Sequence, residues 1–143
     1  MKQIKQFQGE FSFLSNFYDS PFKAGRVTWP TVEHFFQAMK TTDPKMREKI
    51  RLMTYPGDAK RAGRRLVLRP DWDDIKLDVM EYALMNKFYY NSSLAYKLVD
   101  TNPAQLIEGN YWHDTYWGVD LNTGLGQNHL GRLLMQIRTA HMG

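Results

Sequence analysis

The chain has 143 residues, a net charge of +4 and no cysteine, which excludes a disulfide framework, a thiolate nucleophile and a Cys-based zinc site. One domain spanning residues 1–143 is expected at this length, able to bury roughly two thirds of its unfolded surface. No apolar run approaches the roughly 20 residues that span a bilayer, the start MKQIKQFQGE lacks the apolar core of a signal peptide, and the four histidines have no paired ligand spacing, so a cytoplasmic protein with no membrane partner and no metal is expected.

Taken in chain order, IKQFQGEFSFLSNFY is rich in Phe with partial alternation and predicts one or two short strands. The stretches DSPFKAG, TYPGDA, LRPDW and TNPAQ read as short Pro or Gly turns, with no repeat or linker between them. TVEHFFQAMK predicts a helix from about 31 to 41. At 100° per residue Glu33, Gln37 and Lys40 fall within about 60° of one another, while Val32, Phe35, Phe36 and Met39 fill another sector. That polar stripe is either a solvated face or the wall of a site.

PKMREKIRLM predicts a helix with Pro44 in its first turn and Met46, Ile50 and Met53 on one face. GDAKRAGRRL continues as a short basic helix, although Gly63 weakens it. Residues 45–69 hold nine Lys or Arg against two acids. This is either a solvated basic surface or a region that attracts an anionic partner. Asp71 is the expected cap of a long helix reaching about Tyr90, on which Asp74, Asp78 and Glu81 mark the wet face. Lys87 lies roughly opposite them, so it points inward or lays its stem along apolar surface. SLAYKLVDT closes a further helix, and Leu130, Leu133, Leu134 and Ile137 give the last helix a core face.

Before that last helix the loop gathers Glu108, Trp112, Asp114, Tyr116 and Trp117, then Gly118, Gly124, Gly126 and Asn128. Carboxylates beside aromatic rings suit a pocket for a planar base and a sugar, with glycines letting backbone approach a ligand. A Gly-rich turn packed by its own tryptophans fits the same residues. No Walker A or dinucleotide pattern is present.

The ordered set LSNFYDSPF, WPTVEHFFQAMK, AKRAGRR, Trp72 with the helix ending NKF, TNPAQLIE, DTYWG and GQNHLGRLLMQIR spans nearly the whole chain and resembles the YbiA-like, or NADAR, family. The resemblance implies a mainly α fold with a small β element (α+β) and N-glycosidase activity without a cofactor. It implies one of two substrates. One is an early riboflavin-pathway ribosylamino-pyrimidine phosphate; the other is ADP-ribose on guanine in nucleic acid.

By motif, Asn16, Glu33, Lys40, Trp72, Lys87, Glu108, Asp114, Trp117 and Gly118 match family positions. GNYWH before Asp114 departs from the pattern by adding Trp112, which leaves the substrate preference open.

Under this resemblance Glu33 is expected to stabilise positive charge at the anomeric carbon, with Asp114 or Glu108 placing water or ribose hydroxyls. Lys40 is either an amine nucleophile, its pKa lowered by desolvation or a cation such as Lys87, or a phosphate ligand. Trp72 and Trp117 are expected to stack the base, Arg61 and Arg64 to hold phosphate, and Asn128 to line the site. The alternative is a non-catalytic module that binds ADP-ribose, nucleotide or nucleic acid.

Overall fold

The computed structural model describes residues 2–143. In chain order its elements are β1 (Gln3–Ile4), a 3-10 turn over Gly9–Leu14, β2 (Phe22–Ala24), β3 (Val27–Trp29), α1 (Val32–Ala38), α2 (Pro44–Arg51), α3 (Pro56–Arg64), α4 (Trp72–Tyr90), α5 (Ser92–Asp100), β4 (Gln105–Leu106), β5 (Gly109–Asn110), β6 (Val119–Asp120) and α6 (His129–His141). The fold is mainly α with short strands, as expected. Two units can be separated: Asn16–Asn91, and the residues up to Ser15 together with Ser92–Gly143.

In the unit Asn16–Asn91, the segment read as a turn at DSPFKAG is instead the first arm of a hairpin. Strands β2 and β3 pair antiparallel, with Ala24 opposite Val27. The two loop residues Gly25 and Arg26 have φ of 61° and 69°, the double left-handed geometry that matches the twist of the flanking strands. Gly-Arg is a weak signal for that turn, and Phe22 and Trp29 on the buried face hold it in register.

Helix α1 starts at Thr31, whose hydroxyl oxygen accepts the His34 amide at 3.1 Å. Because the Met53 carbonyl can only accept, His34 donates to it from Nε2 at 2.9 Å. Its Nδ1 therefore accepts from the Thr31 hydroxyl at 2.8 Å. Burial, the largest effect, lowers the His34 pKa, partly opposed by the Met53 bond and Asp58, so the ring is a neutral strut.

Helix α1 packs against α2, α3, α4 and β3, and every residue from Val32 to Ala38 is buried. Pro44 opens α2 behind the Asp43 cap, which accepts Lys45 N–H at 3.0 Å. Helix α4 begins after Asp71 as expected, but that side chain does not cap it. Its carboxylate takes Arg69 Nε at 2.7 Å and Nη2 at 3.2 Å instead, a charge-assisted fork that outcompetes a single amide donor.

In the other unit the opening stretch supplies one short strand, of the one or two expected, and its Phe residues then run through a 3-10 turn. Phe7, Phe13 and Leu14 are buried. Strand β1 pairs parallel with β4, and β5 parallel with β6. Helix α6 packs on α5 and β4 through Leu130, Leu133, Leu134 and Ile137, all buried. Gly131 permits the close contact, since a Cβ there would stand 2.1 Å from the Leu106 carbonyl oxygen. Among the described residues no helix is long and apolar enough to cross a membrane.

Candidate active site

The polar stripe of α1 is not a wet face. Glu33 is 7% exposed and Gln37 5%, because α2, α3 and α4 cover the sectors that a lone amphipathic helix would leave to water. Gln37 Nε2 donates to Glu33 Oε2 at 3.0 Å. The backbone of the LSNFY segment meets the same point, where the Glu33 N–H donates to the Asn16 carbonyl at 3.1 Å. Asn16 extends its amide nitrogen toward Met80 Sδ at 3.6 Å.

Lys40 lies in the turn after α1, half-buried, with its ammonium 5.8 Å from the Phe36 ring centroid. Burial is the main reason its pKa falls below the ordinary lysine value. Glu33 pulls the other way, and Lys60, Arg64 and Lys76 depress it further. Those three are the cations at work, where the sequence had pointed to Lys87. Glu33, Lys40, Lys60, Arg64 and Lys76 thus form one electrostatic cluster drawn from α1, the turn after it, α3 and α4.

Lys60 and Lys76 were not singled out from the sequence, while Arg64 was expected to hold phosphate. Lys60 and Arg64 stand at i and i+4 on α3, one above the other, whereas Arg61 ion-pairs with Asp58 on the helix surface. The i, i+4 spacing was the available signal. Lys60 also reaches the Phe17 ring, 5.9 Å from its centroid, and Phe17 is 42% exposed, an aromatic face beside a cation. Trp72 is buried with its ring edge-on to Phe36 at 5.0 Å, so it supports the ring under Lys40. Lys87 is wholly buried, its ammonium 6.0 Å from the Tyr18 ring and 5.3 Å from that of Phe88. Burial holds its pKa at about 7.

In the other unit, Glu108, Asp114, Trp117, Gly118 and Asn128 belong to one loop system. Asp114 Oδ1 accepts the Tyr116 and Trp117 amides at 3.1 and 2.9 Å. Asn110, fully buried, donates to the carbonyls of Asp114 at 2.9 Å and Val119 at 3.2 Å and accepts the Asp114 amide at 3.0 Å.

Asn128, at φ 53°, accepts the Glu108 amide at 3.0 Å and donates to the Leu106 carbonyl at 2.9 Å. The close backbone approach at Gly118 is to the chain itself, since a Cβ would stand 2.0 Å from the Glu108 carbonyl oxygen. Tyr116 and Trp117 meet edge-on at 4.8 Å, with His129 4.5 Å from Tyr116, while Trp112 is exposed. His113, exposed at positive φ, bonds the buried Asp120 at 2.7 Å. That bond is the chief cause of the lowered Asp120 pKa. Sequence reading passed over this pair because seven residues separate its members. Among the described residues no three His, Asp or Glu side chains gather as a metal-binding set.

The sequence matches the NADAR domain family over residues 4–140. It is 44% identical over 131 residues to N-glycosidase YbiA of Escherichia coli (strain K12), covering 90% of this chain and 81% of that protein. A riboflavin biosynthesis protein of Vibrio vulnificus is 37% identical over 128 residues, covering 88% of this chain and 34% of that protein. The NMR structure of Escherichia coli YbiA is similar with a TM-score of 0.83 at 39% identity, covering 98% of this chain and 88% of the other.

Proposed function

Because the chain belongs to the NADAR domain family, we propose that it is an N-glycosidase, hydrolysing the C–N bond between a base and a ribose phosphate. The matched span of residues 4–140 runs through both units, which supports counting them as one NADAR domain. The observation that carries the reading is the buried Glu33 carboxylate, held by Gln37 and coupled to Lys40 within a cluster of cations.

Cleaving the glycosidic bond sends its electron pair to the base nitrogen, which takes up a proton, and leaves positive charge at the anomeric carbon. A fixed carboxylate in a site with little water stabilises that charge most effectively. Lys60 and Arg64 supply charge for the phosphate, and Phe17 offers an exposed ring against which a base can stack.

Lys40 is the nucleophile in this proposal. Its lowered pKa raises the neutral fraction of the amine near neutral pH. The neutral Nζ forms a bond to the anomeric carbon as the base departs, loses a proton, and the ring opens to an imine. Water then hydrolyses the imine, returning the free amine and the sugar phosphate. In the other unit Asp114 holds the Tyr116 and Trp117 amides and Asn128 ties the Glu108 amide to the Leu106 carbonyl, so these residues, with Gly118, shape their own loop.

A riboflavin biosynthesis name among the relatives favours a ribosylamino-pyrimidine phosphate as substrate, with ADP-ribosylated guanine as the competing source of the same chemistry. The test incubates the protein separately with both and follows free base and sugar phosphate by chromatography, with Glu33→Gln as the folded control. Release by the wild type, lost in Glu33→Gln, supports the assignment. Tight binding with no release from either substrate makes the protein a binding module. A covalent adduct trapped by borohydride on Lys40, absent in Lys40→Arg, supports the imine; an active Lys40→Arg with no adduct removes it.

A further inference from the structure

We propose that Gln37 is a positioning residue for Glu33, and that the absence of a side chain at Gly63 is what seats it. The inference rests on the role given to Glu33 above. Gln37 follows Glu33 by one turn of α1, both side chains are buried, and Nε2 meets Oε2 at 3.0 Å. A carboxylate oxygen only accepts, so the amide must present its nitrogen and turn its oxygen away. That oxygen, Gln37 Oε1, is buried with no hydrogen-bond partner among the described residues.

It lies against α3, where a Cβ added to Gly63 would stand 1.8 Å from Oε1, 2.7 Å from Cδ and 3.1 Å from Cβ of Gln37. Gly63 is an ordinary helical residue, with no positive φ to require glycine. What glycine supplies there is room, at a position where it weakens the helix. Leu or Met at position 37 would fill the same space without burying an unpaired oxygen. Both disfavoured features, the glycine in the helix and the orphaned oxygen, serve one hydrogen bond, and that bond restrains the Glu33 carboxylate through its Oε2.

A carboxylate turned out of line loses most in the reacting state and least in simple substrate binding. Gln37→Met should therefore lower kcat by about 10–100-fold while KM stays within about twofold. Gly63→Ala, which displaces the amide, should do the same. The double variant should be no worse than Gln37→Met alone, because both changes act through one contact.

Gln37→Glu keeps the shape but places a second carboxyl beside Glu33, so the two compete for one proton. The pair then titrates in two macroscopic steps, and the kcat/KM profile should gain a falling limb at higher pH, where the shared proton is lost. The neighbouring cations, Lys40 with Lys60 and Arg64 of α3 and Lys76 of α4, attract the new carboxylate and oppose part of the rise in its pKa, so the profile reads the net of the two.

The assay uses the ribosylamino-pyrimidine phosphate and an ADP-ribosylated guanine oligonucleotide, with thermal unfolding as the fold control. A folded Gln37→Met at the wild-type kcat, or an unchanged profile in Gln37→Glu, overturns the inference. If Gln37→Met does not fold, the Gln37→Glu profile decides. Should Glu33→Gln itself keep the wild-type rate, the reading of Glu33 has failed and this one with it. An inactive Glu33→Gln beside an unaffected Gln37 pair sinks the positioning role alone.

Discussion

Lys87→Met replaces a buried ammonium with an apolar side chain of similar length, and its effect should depend on pH in a way no packing change can imitate. In the unfolded chain Lys87 titrates near 10.5; in the fold, burial holds it at about 7. By linkage that difference is worth about 5 kcal/mol. The unfolded chain keeps its proton up to about 10.5 and the folded chain releases it above about 7, so between those values the unfolded state binds more protons. Stability of the wild type therefore rises with pH across this window, and the full penalty applies at and below about 7.

Met does not titrate, so whatever its packing and lost contacts contribute is the same at every pH. Between pH 10 and pH 6 the stability difference should thus move in favour of Lys87→Met by up to about 5 kcal/mol. Urea unfolding followed by circular dichroism at intervals from pH 6 to pH 10 measures the gap directly. A difference that does not change with pH would refute the reasoning, because a cavity or a lost ring contact is indifferent to pH.

Asp114→Ala leaves the Tyr116 and Trp117 amides without their shared acceptor and should destabilise the protein by about 1–3 kcal/mol. Asp114→Asn keeps that oxygen and should keep the stability, so loss of turnover in Asp114→Asn isolates a demand for the charge; wild-type turnover there limits Asp114 to holding the loop. Arg64→Ala should weaken binding of the sugar phosphate several-fold more than Lys2→Ala, and the difference should shrink as salt is added. Calorimetric titration at low and high ionic strength would expose equal effects of the two substitutions, which would mean a diffuse surface charge rather than the Lys40 cluster.

Residues 43 and 44 show how far local rules reach: Asp43 caps and Pro44 opens α2 because both act on amides within one turn. The same holds for the apolar face of α6, whose Leu130, Leu133, Leu134 and Ile137 spacing needs no partner to be recognised. The 3.6-residue period also placed Glu33, Gln37 and Lys40 on one stripe of a helix and turned Lys87 away from Asp74, Asp78 and Glu81. Motif order alone was enough for the family. Yet periodicity gives angles about an axis and says nothing of what stands opposite each angle.

Whether Glu33 met water or protein was decided by α2, α3 and α4 packing around α1. Which cations act on Lys40 was decided by α3 turning Lys60 and Arg64 toward it while Arg61 pairs with Asp58. The β2–β3 hairpin and the recess at Gly63 likewise depend on residues brought close by folding rather than by sequence neighbourhood. Short-range hydrogen bonds and side-chain spacing are fixed by the order of residues; burial, and with it the charge state of Lys40 and Lys87, exists only once distant segments have excluded the solvent between them.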